Sequence, residues 1–471
     1  MSMAAEPQQQ DVRVEPREPV LPEHWPERWR TMPHGISAGR YIDVAFQKLE
    51  YEKLWSKVWQ VAARVDEVPS VGDYTVYDIG TQSAIIVRST DGTIKAYRNF
   101  CPHRGTALAE GCGEFSNGRI VCPFHGWRWD LEGTNQLVLE RQEFRGGALR
   151  NSDVALRGLH AAVFAGFVFI NFDANPQPFD EYIAPVRQWL DDFAIGEMRH
   201  YWWKSVRIPA NWKVAQEAFL EAYHVPATHP QLDEIGREIV FGDRVDGEMG
   251  HQNVRYEAMA NGHGRFFAGP KKPMSGHVQG AQGDLLEQMI ARLTLNVEGM
   301  DAMVLQEDVD VLKTLRGRPI PDGSSIAGEY VKALYERAAE QRRPMPKPTP
   351  EVLGHWGGEF FLFPNFLVLP NAGNCEFYRA RPDGDDPNHC IFEIYSTKTY
   401  PAETPSPRAV VQPVAFERSG EDFLLIPQQD LSNIPRIQKG LHQGMRQTWL
   451  ASEQEKLILN MHQELDRYLQ A

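Results

Sequence analysis

CPHRG at 101–105 and CPFHGW at 122–127 place two cysteines and two histidines in two short loops, and no other feature of the sequence restricts the fold as tightly. The pattern is C-x-H, 18 residues, then C-x-x-H, with Cys101, His103, Cys122 and His125 as candidate ligands. Each half is a tight loop carrying two ligand side chains. The intervening residues are long enough to form a hairpin that brings the loops together. The flanking sequence has β texture. YTVYDI, SAIIVRS and TIKAYRN are short runs rich in β-branched and aromatic residues, punctuated by Gly80 and by the hairpin signal Asp91–Gly92. Residues 40–65 read as helical, leading into a strand, and short β segments continue to GFVFINFD, ending at Asp173. The spacing predicts a small, largely antiparallel β domain over residues 40–173.

The ligand mixture has a chemical reason. A two-iron, two-sulfide cluster held by four thiolates is electron-rich and has a low potential. Neutral imidazoles in place of two thiolates on one iron raise that potential. The order of residues suits such a Rieske centre, because each loop gives one Cys to one iron and one His to the other. Structural zinc is the competing reading. Zinc fingers, however, usually pair Cys with Cys and His with His. The prolines and glycines let the backbone wrap closely, so that amide N–H groups reach the sulfurs. Five cysteines in 471 residues are no disulfide framework. Cys112 is expected to be a small buried hydrophobe, and Cys375 and Cys390 to be structural.

Lys and Arg number 49 against 63 Asp and Glu, a formal charge of −14. A basic footprint for nucleic acid is therefore absent, and any protein-docking surface should be a local basic or apolar patch. The most apolar stretch, Ala161 to Phe172, has 12 residues with Asn171 among them and is too short to span a membrane. MSMAAEPQQQDVRVEPREPV has neither the basic start nor the apolar core of a secretion signal. Residues 1–39 are expected to form a flexible tail, and the protein to be cytoplasmic.

After a Pro176/Pro178 linker, residues 174–471 read as one mixed α+β domain. Helical spacing dominates 283–340, PMPKPTP is a loop, and strand texture returns in FFLFPNFLVLP and HCIFEIYSTKTY. The block NWKVAQEAFLEAYHVPATHP, 211–230, sets Glu217, Glu221 and His224 at i, i+4 and i+7, one face of a predicted helix that Pro226 would stop. His229 follows on the departing chain. Two imidazoles and one carboxylate suit Fe(II) and leave positions open for dioxygen and substrate. Asp430, in LLIPQQDLSNIPRIQKG, is the best candidate for the carboxylate. The bland alternatives are a solvated helix face for the first block and a helix cap for Asp430. Phe219, Phe361, Phe363 and Phe423 are candidate pocket walls or core. The stretch 264–352 is expected to shape the pocket entrance or a protein interface.

These blocks resemble the large (α) subunits of Rieske non-haem iron oxygenases, the ring-hydroxylating dioxygenase family. The resemblance covers nearly the whole chain after about residue 40. It rests on CPHRG, CPFHGW, the NWK…E…E-A-Y-H-x4-H block, LFPNFLVLP and QQDLSN…IQKG. It implies an α+β protein: an antiparallel β Rieske [2Fe-2S] domain followed by a helix-grip (START-like) catalytic domain. It implies Cys101, His103, Cys122 and His125 as cluster ligands, and His224, His229 and Asp430 as ligands of a mononuclear non-haem Fe(II). Glu221 stands where the family usually has an Asp that links the first iron-binding His to a cluster His of the neighbouring subunit. Its longer side chain should still accept both imidazole N–H bonds. Asn211, Glu217 and Tyr223 are expected as supporting or pocket residues.

The implied assembly is a head-to-tail homotrimer (α3), or α3β3 with a small subunit. Electrons would come from NAD(P)H through a ferredoxin and/or a flavin reductase. The implied reaction is hydroxylation, in particular cis-dihydroxylation, of an aromatic or other bulky apolar substrate. A monooxygenase or oxidative O- or N-demethylase would use the same ligands. Outside enzymes, a Rieske electron-transfer protein is opposed by the 224/229/430 triad, and a zinc-stabilised binding module would be iron-free.

Overall fold

The computed structural model describes residues 35–232, 254–268, 285–354, 358–405 and 408–470. Most of the expected tail lies outside these residues. Its last few are packed: Ile36 and Ala38 are buried, and Ser37 pairs with Gln447.

The alternation of DYTVYDI sends every second side chain inward, as strand geometry requires. This strand belongs to a seven-stranded antiparallel sheet. Its spatial order is Gln60–Arg64, Phe167–Asn171, Gly158–Phe164, Ile94–Arg98, Gln82–Arg88, Asp73–Ile79 and Cys112–Glu114. A three-stranded sheet, Arg119–Val121, Arg128–Asp130 and Asn135–Leu137, carries the second ligand loop. Between the sheets lies a separate small core that includes Ile85, Val87, Ile120, Trp127, Trp129 and Leu131. Cys112 is exposed on its short edge strand. The expectation that it is buried is corrected, because a three-residue edge strand has no second layer to cover it.

The catalytic region is built on one eight-stranded sheet. Its spatial order is Val254–Ala258, Gly264–Ala268, Glu359–Leu362, Phe366–Pro370, Asn374–Pro382, Cys390–Lys398, Arg199–Ile208 and Gln412–Val414. All pairs are antiparallel except the last, where Arg199–Ile208 meets Gln412–Val414 in parallel. FFLFPNFLVLP is thus a hairpin rather than one strand. Leu425–Leu441 and Lys456–Gln470 are long helices with apolar faces buried on this framework. The helical spacing of 283–340 appears as Leu285–Gly299, Gln306–Lys313 and Ile326–Glu340, with a small core of their own.

A single large core runs through both regions: Phe167 of the first sheet packs on Phe366 and Phe377 of the second. Two buried polar contacts reinforce that seam. Lys213 Nζ meets Glu50 Oε1 at 2.7 Å with both side chains fully buried, and Arg379 donates to the Val61 carbonyl at 2.8 Å. Buried charges at such a seam must be paired, and these are. No helix among the described residues is long and apolar enough to cross a membrane.

Candidate metal centres

The two cysteine loops have the same backbone design. Cys101 N–H donates to the Thr106 carbonyl at 2.8 Å and Gly105 N–H returns to the Cys101 carbonyl at 2.9 Å. Cys122 N–H donates to Trp127 at 2.8 Å and Gly126 N–H returns to Cys122 at 3.0 Å. Both turns close through a glycine in the left-handed region, Gly105 at φ +83° and Gly126 at φ +68°. A side chain there would be strained, so the glycine shapes each cradle. Cys101 and Cys122 are buried, whereas His103 and His125 are half-exposed, with ring centroids 4.7 Å apart.

Burial pushes the Cys101 thiol up, and backbone N–H groups of His103 and Arg104 pull it down. Those amides are the donors that a cluster sulfur needs. His103 stacks flat on Trp127, at 4.7 Å and 9°. Its Nδ1 is buried with no hydrogen-bond partner among the described residues. An orphaned imidazole nitrogen beside two buried thiols fits a metal–sulfur centre of mixed ligation.

The second centre departs from the predicted local structure. The helix Trp212–Glu217 starts at Asn211, whose side chain accepts from Lys213 N–H at 3.1 Å, and it ends at Glu217. A new helical turn, Val225–Thr228, begins just after His224. Pro226 therefore opens a helix rather than stopping one, since a first-turn proline sacrifices no hydrogen bond. The continuous face of Glu217, Glu221 and His224 does not form. Glu217 turns instead to His462 at 2.8 Å and Tyr41 at 3.2 Å, where burial raises its carboxyl to about 8.

The kinked path brings His224 and His229 to Asp430 on the helix Leu425–Leu441. Asp430 lies within that helix, buried, and caps nothing. His229 Nε2 is 3.0 Å and His224 Nε2 3.7 Å from Asp430 Oδ1, and the three ligand atoms lie within 4.8 Å of one another. Each imidazole is held from behind. His224 Nδ1 donates to Glu221 Oε1 at 2.8 Å, and Glu221 Oε2 takes the His224 backbone N–H at 2.9 Å. His229 Nδ1 donates to Gln429 Oε1 at 2.8 Å, and Gln429 is paired in turn with Gln231. Acceptors on both Nδ1 atoms turn the two Nε2 atoms toward one spot. Burial disfavours the His224 imidazolium, yet the charge and hydrogen bond of Glu221, followed by Asp430, hold it up at about 9. The site has surplus negative charge and attracts a cation.

The triad borders a cavity of about 150 Å³, walled by Phe219, Met300, Met303, Leu369 and Ile426. Met300 and Met303 come from the 264–352 stretch, which thereby forms part of the pocket wall. A larger groove of about 440 Å³ lies among charged residues of the helices Gln306–Lys313 and Ile326–Glu340, remote from the triad.

Of the four candidate phenylalanines, only Phe219 borders the cavity; Phe361, Phe363 and Phe423 are core. Tyr223 is 42% exposed and outside the wall. Asn211 is a helix cap that also donates to the Pro387 carbonyl at 2.9 Å. Asn211, Glu217 and Tyr223, expected as supporting or pocket residues, do not line this cavity: Asn211 caps its helix, Glu217 turns to His462 and Tyr41, and Tyr223 is exposed. Sequence reasoning missed Gln429, Glu359, Glu376 and Tyr378. Gln429 adjoins Asp430 in QQDLSN, and the two glutamates are the acids of the strands EFFL and NCEFYRARP.

A family model described as Ring hydroxylating alpha subunit (catalytic domain) matches residues 195–471, more than half of the chain. The chain belongs to this family. A model of the Rieske [2Fe-2S] domain matches residues 58–144, which contain both cysteine loops. A Rieske cluster and a mononuclear non-haem iron are therefore the cofactors of such a chain.

The carnitine monooxygenase oxygenase subunit of Escherichia coli K12 is 32% identical over 223 residues, 46% of this chain and 57% of that one. The biphenyl 2,3-dioxygenase subunit alpha of Rhodococcus jostii RHA1 is 27% identical over 238 residues, 48% of this chain and 50% of that one. The match spans about half the length of these curated relatives.

Among solved structures, a quaternary ammonium Rieske monooxygenase shares the fold, with a TM-score of 0.60 at 16% identity over 93% of this chain and 98% of the other. Naphthalene 1,2-dioxygenase with indole bound aligns with a TM-score of 0.62 at 18% identity, over 93% and 92%. This chain therefore places a Rieske region ahead of a mixed helix-and-sheet catalytic region, in a fold that both solved structures share.

Proposed function

We propose that the chain is a terminal oxygenase that uses dioxygen and reducing electrons to hydroxylate an organic substrate with an apolar body. The observation that supports this most directly is the convergence of His224, His229 and Asp430 beside an apolar-walled cavity, in a chain that also folds a two-loop thiol–imidazole cradle. Cys101, His103, Cys122 and His125 hold the cluster in this reading, and His224, His229 and Asp430 hold the iron. When bound, the cluster supplies one-electron transfer and the iron activation of dioxygen.

The chain's own groups then have separate tasks. Glu221 and Gln429 fix the imidazole tautomers, so that both Nε2 atoms stay available. Phe219, Met300 and Met303 exclude water and hold the apolar part of the substrate. Glu221 keeps lone pairs beyond those used by His224, and these take an imidazole N–H from the cluster of a neighbouring copy in a trimer, α3 or α3β3. The half-exposed His103 and His125 have an apolar rim of Phe124, Val121 and Leu139, with the Arg104 guanidinium 5.3 Å from the Phe124 ring centre. That patch suits docking by the neighbouring copy or an acidic ferredoxin. NAD(P)H, through a ferredoxin and/or a flavin reductase, is the electron source, and the cytoplasm the setting. The division is 1–39 tail, 40–173 cluster domain and 174–471 catalytic domain.

Dihydroxylation to a cis-diol is the first reading of the product. Monooxygenation or oxidative O- or N-demethylation is the second, favoured by the two carboxylates, Glu359 and Glu376, that border the cavity. Turnover under labelled dioxygen separates them. Two labelled oxygens mean a diol, whereas one labelled oxygen or released formaldehyde means the second reading. A well-loaded preparation that carries the cluster irons but no mononuclear iron, and consumes no dioxygen with any substrate, overturns the oxygenase reading.

A further inference from the structure

The cavity wall is not uniformly apolar. Glu359 and Glu376 both border it, on different strands of the catalytic sheet. The registers place them on one cross-strand row. Phe360 pairs with Val368, which sets Glu359 beside Leu369, and Leu369 pairs with Glu376. Two strand spacings separate the carboxylate-bearing positions, about 10 Å, with Leu369 between them.

Glu376 is 1% exposed, and its Oε1 has no hydrogen-bond partner among the described residues. Tyr378, two positions along the same strand, shares that face of the sheet and the cavity wall. Phe219 stacks on Tyr378 at 4.4 Å, so an aromatic surface adjoins the acids. None of these groups contributes to the metal-ligating triad. Burial raises both carboxyls, Glu376 to about 8 and Glu359 well above the usual carboxylate range.

A buried carboxylate without a counter-charge is costly; Glu359 has the His224 imidazolium, but for Glu376 no lysine or arginine among the described cavity-lining residues supplies one. An organic cation bound there would supply it. An aromatic face beside carboxylates is the general recognition chemistry for ammonium groups. An orphaned acceptor further asks for a ligand that carries an N–H.

We infer that Glu376 and Glu359, with Tyr378 and Phe219, form a subsite for a protonated amine on the substrate, whose N–H donates to Glu376 Oε1 while its apolar body lies against Met300 and Met303. This inference rests on the oxygenase reading and names its substrate class: a protonated alkylamine rather than a neutral hydrocarbon. Glu376 is thereby the specificity-determining residue of the cavity.

Two isosteric pairs test it: protonated N,N-dimethylbenzylamine with the uncharged isobutylbenzene, and benzyltrimethylammonium with the uncharged neopentylbenzene, each cation read against its own neutral partner. Their binding to the iron-loaded full-length protein is measured by equilibrium dialysis without dioxygen, so no redox partner is needed. The amine should bind about tenfold or more tighter than isobutylbenzene, a larger preference than the quaternary ion, which has no N–H to donate, shows over neopentylbenzene. Glu376→Gln should bring the amine-to-isobutylbenzene ratio close to one, and Glu359→Gln should lower it in the same direction. Equal binding of isobutylbenzene and the amine, or a preference that survives both substitutions, overturns the inference. Equal preferences of the two cations over their neutral partners overturn the hydrogen bond assigned to Oε1. Iron content is read on the same samples. Loss of mononuclear iron from the native protein would overturn the oxygenase reading, whereas full iron with no amine preference overturns only the subsite.

Discussion

The cluster cradle and the iron triad ask opposite things of the chain. In the cradle, each pair of ligand candidates lies within four residues, and each loop closes on itself through its own backbone hydrogen bonds and one left-handed glycine. The cradle also has a private core. In the triad, Asp430 is 201 positions from His229, on a helix that packs into the large core shared between both regions. Local geometry builds the first, and global packing builds the second. Damage should therefore be contained in the cradle and far-reaching around the triad.

The sharpest way to break that contrast is to delete one ligand from each centre. His224→Ala should abolish oxygenation and remove the mononuclear iron while leaving the visible spectrum of the [2Fe-2S] cluster intact. Cys122→Ser should do the reverse, removing the cluster chromophore and retaining the mononuclear iron. Metal analysis with absorption spectroscopy reads both, and loss of both metals in either variant would dissolve the distinction. Glu221→Gln should spare both metals yet slow single-turnover electron transfer between them about 10- to 100-fold. An unchanged rate would refute its bridging role.

Gln429→Leu removes the acceptor behind His229 and should weaken iron retention about tenfold, measured by chelator competition, with the cluster unaffected. The smallest effect concerns the shared core. His263 is fully buried, gives its Nε2–H to the Tyr182 carbonyl and accepts the Phe363 N–H, and burial lowers its pKa from 6.5 to about 4. The folded state resists a proton that the unfolded chain takes up below pH 6.5. Stability is thus complete above that pH and falls as pH drops toward 4, by about 3 kcal/mol in full. Unfolding titrations should show this acid limb, and His263→Gln should flatten it.

The same division explains what could be read from the amino acids. CPHRG and CPFHGW announce their cradle because ligand, turn proline and closing glycine all lie within a few positions. Strand alternation in DYTVYDI and helical spacing in 283–340 were legible for the same reason: period and burial follow directly from local geometry. The iron block was legible in composition but not in shape. Its spacing satisfies a helix, yet the helix stops at Glu217 because the large core, not propensity, decides where that chain turns. Cys112 was misplaced since exposure on an edge depends on what packs above it. Gln429, Glu359 and Glu376 carried no spacing signal at all, because neighbours across a sheet or between a loop and a distant helix leave no periodic trace.

Sequence by itself thus determined the two candidate ligand sets and the order of the two regions, both of which reside in residue identity and short spacing. Only the tertiary structure decided which carboxylates face the cavity, how the imidazole tautomers are held and where the helix of the 211–230 block stops. Those depend on contacts between residues hundreds of positions apart, and such contacts exist only once the sheets and helices have packed.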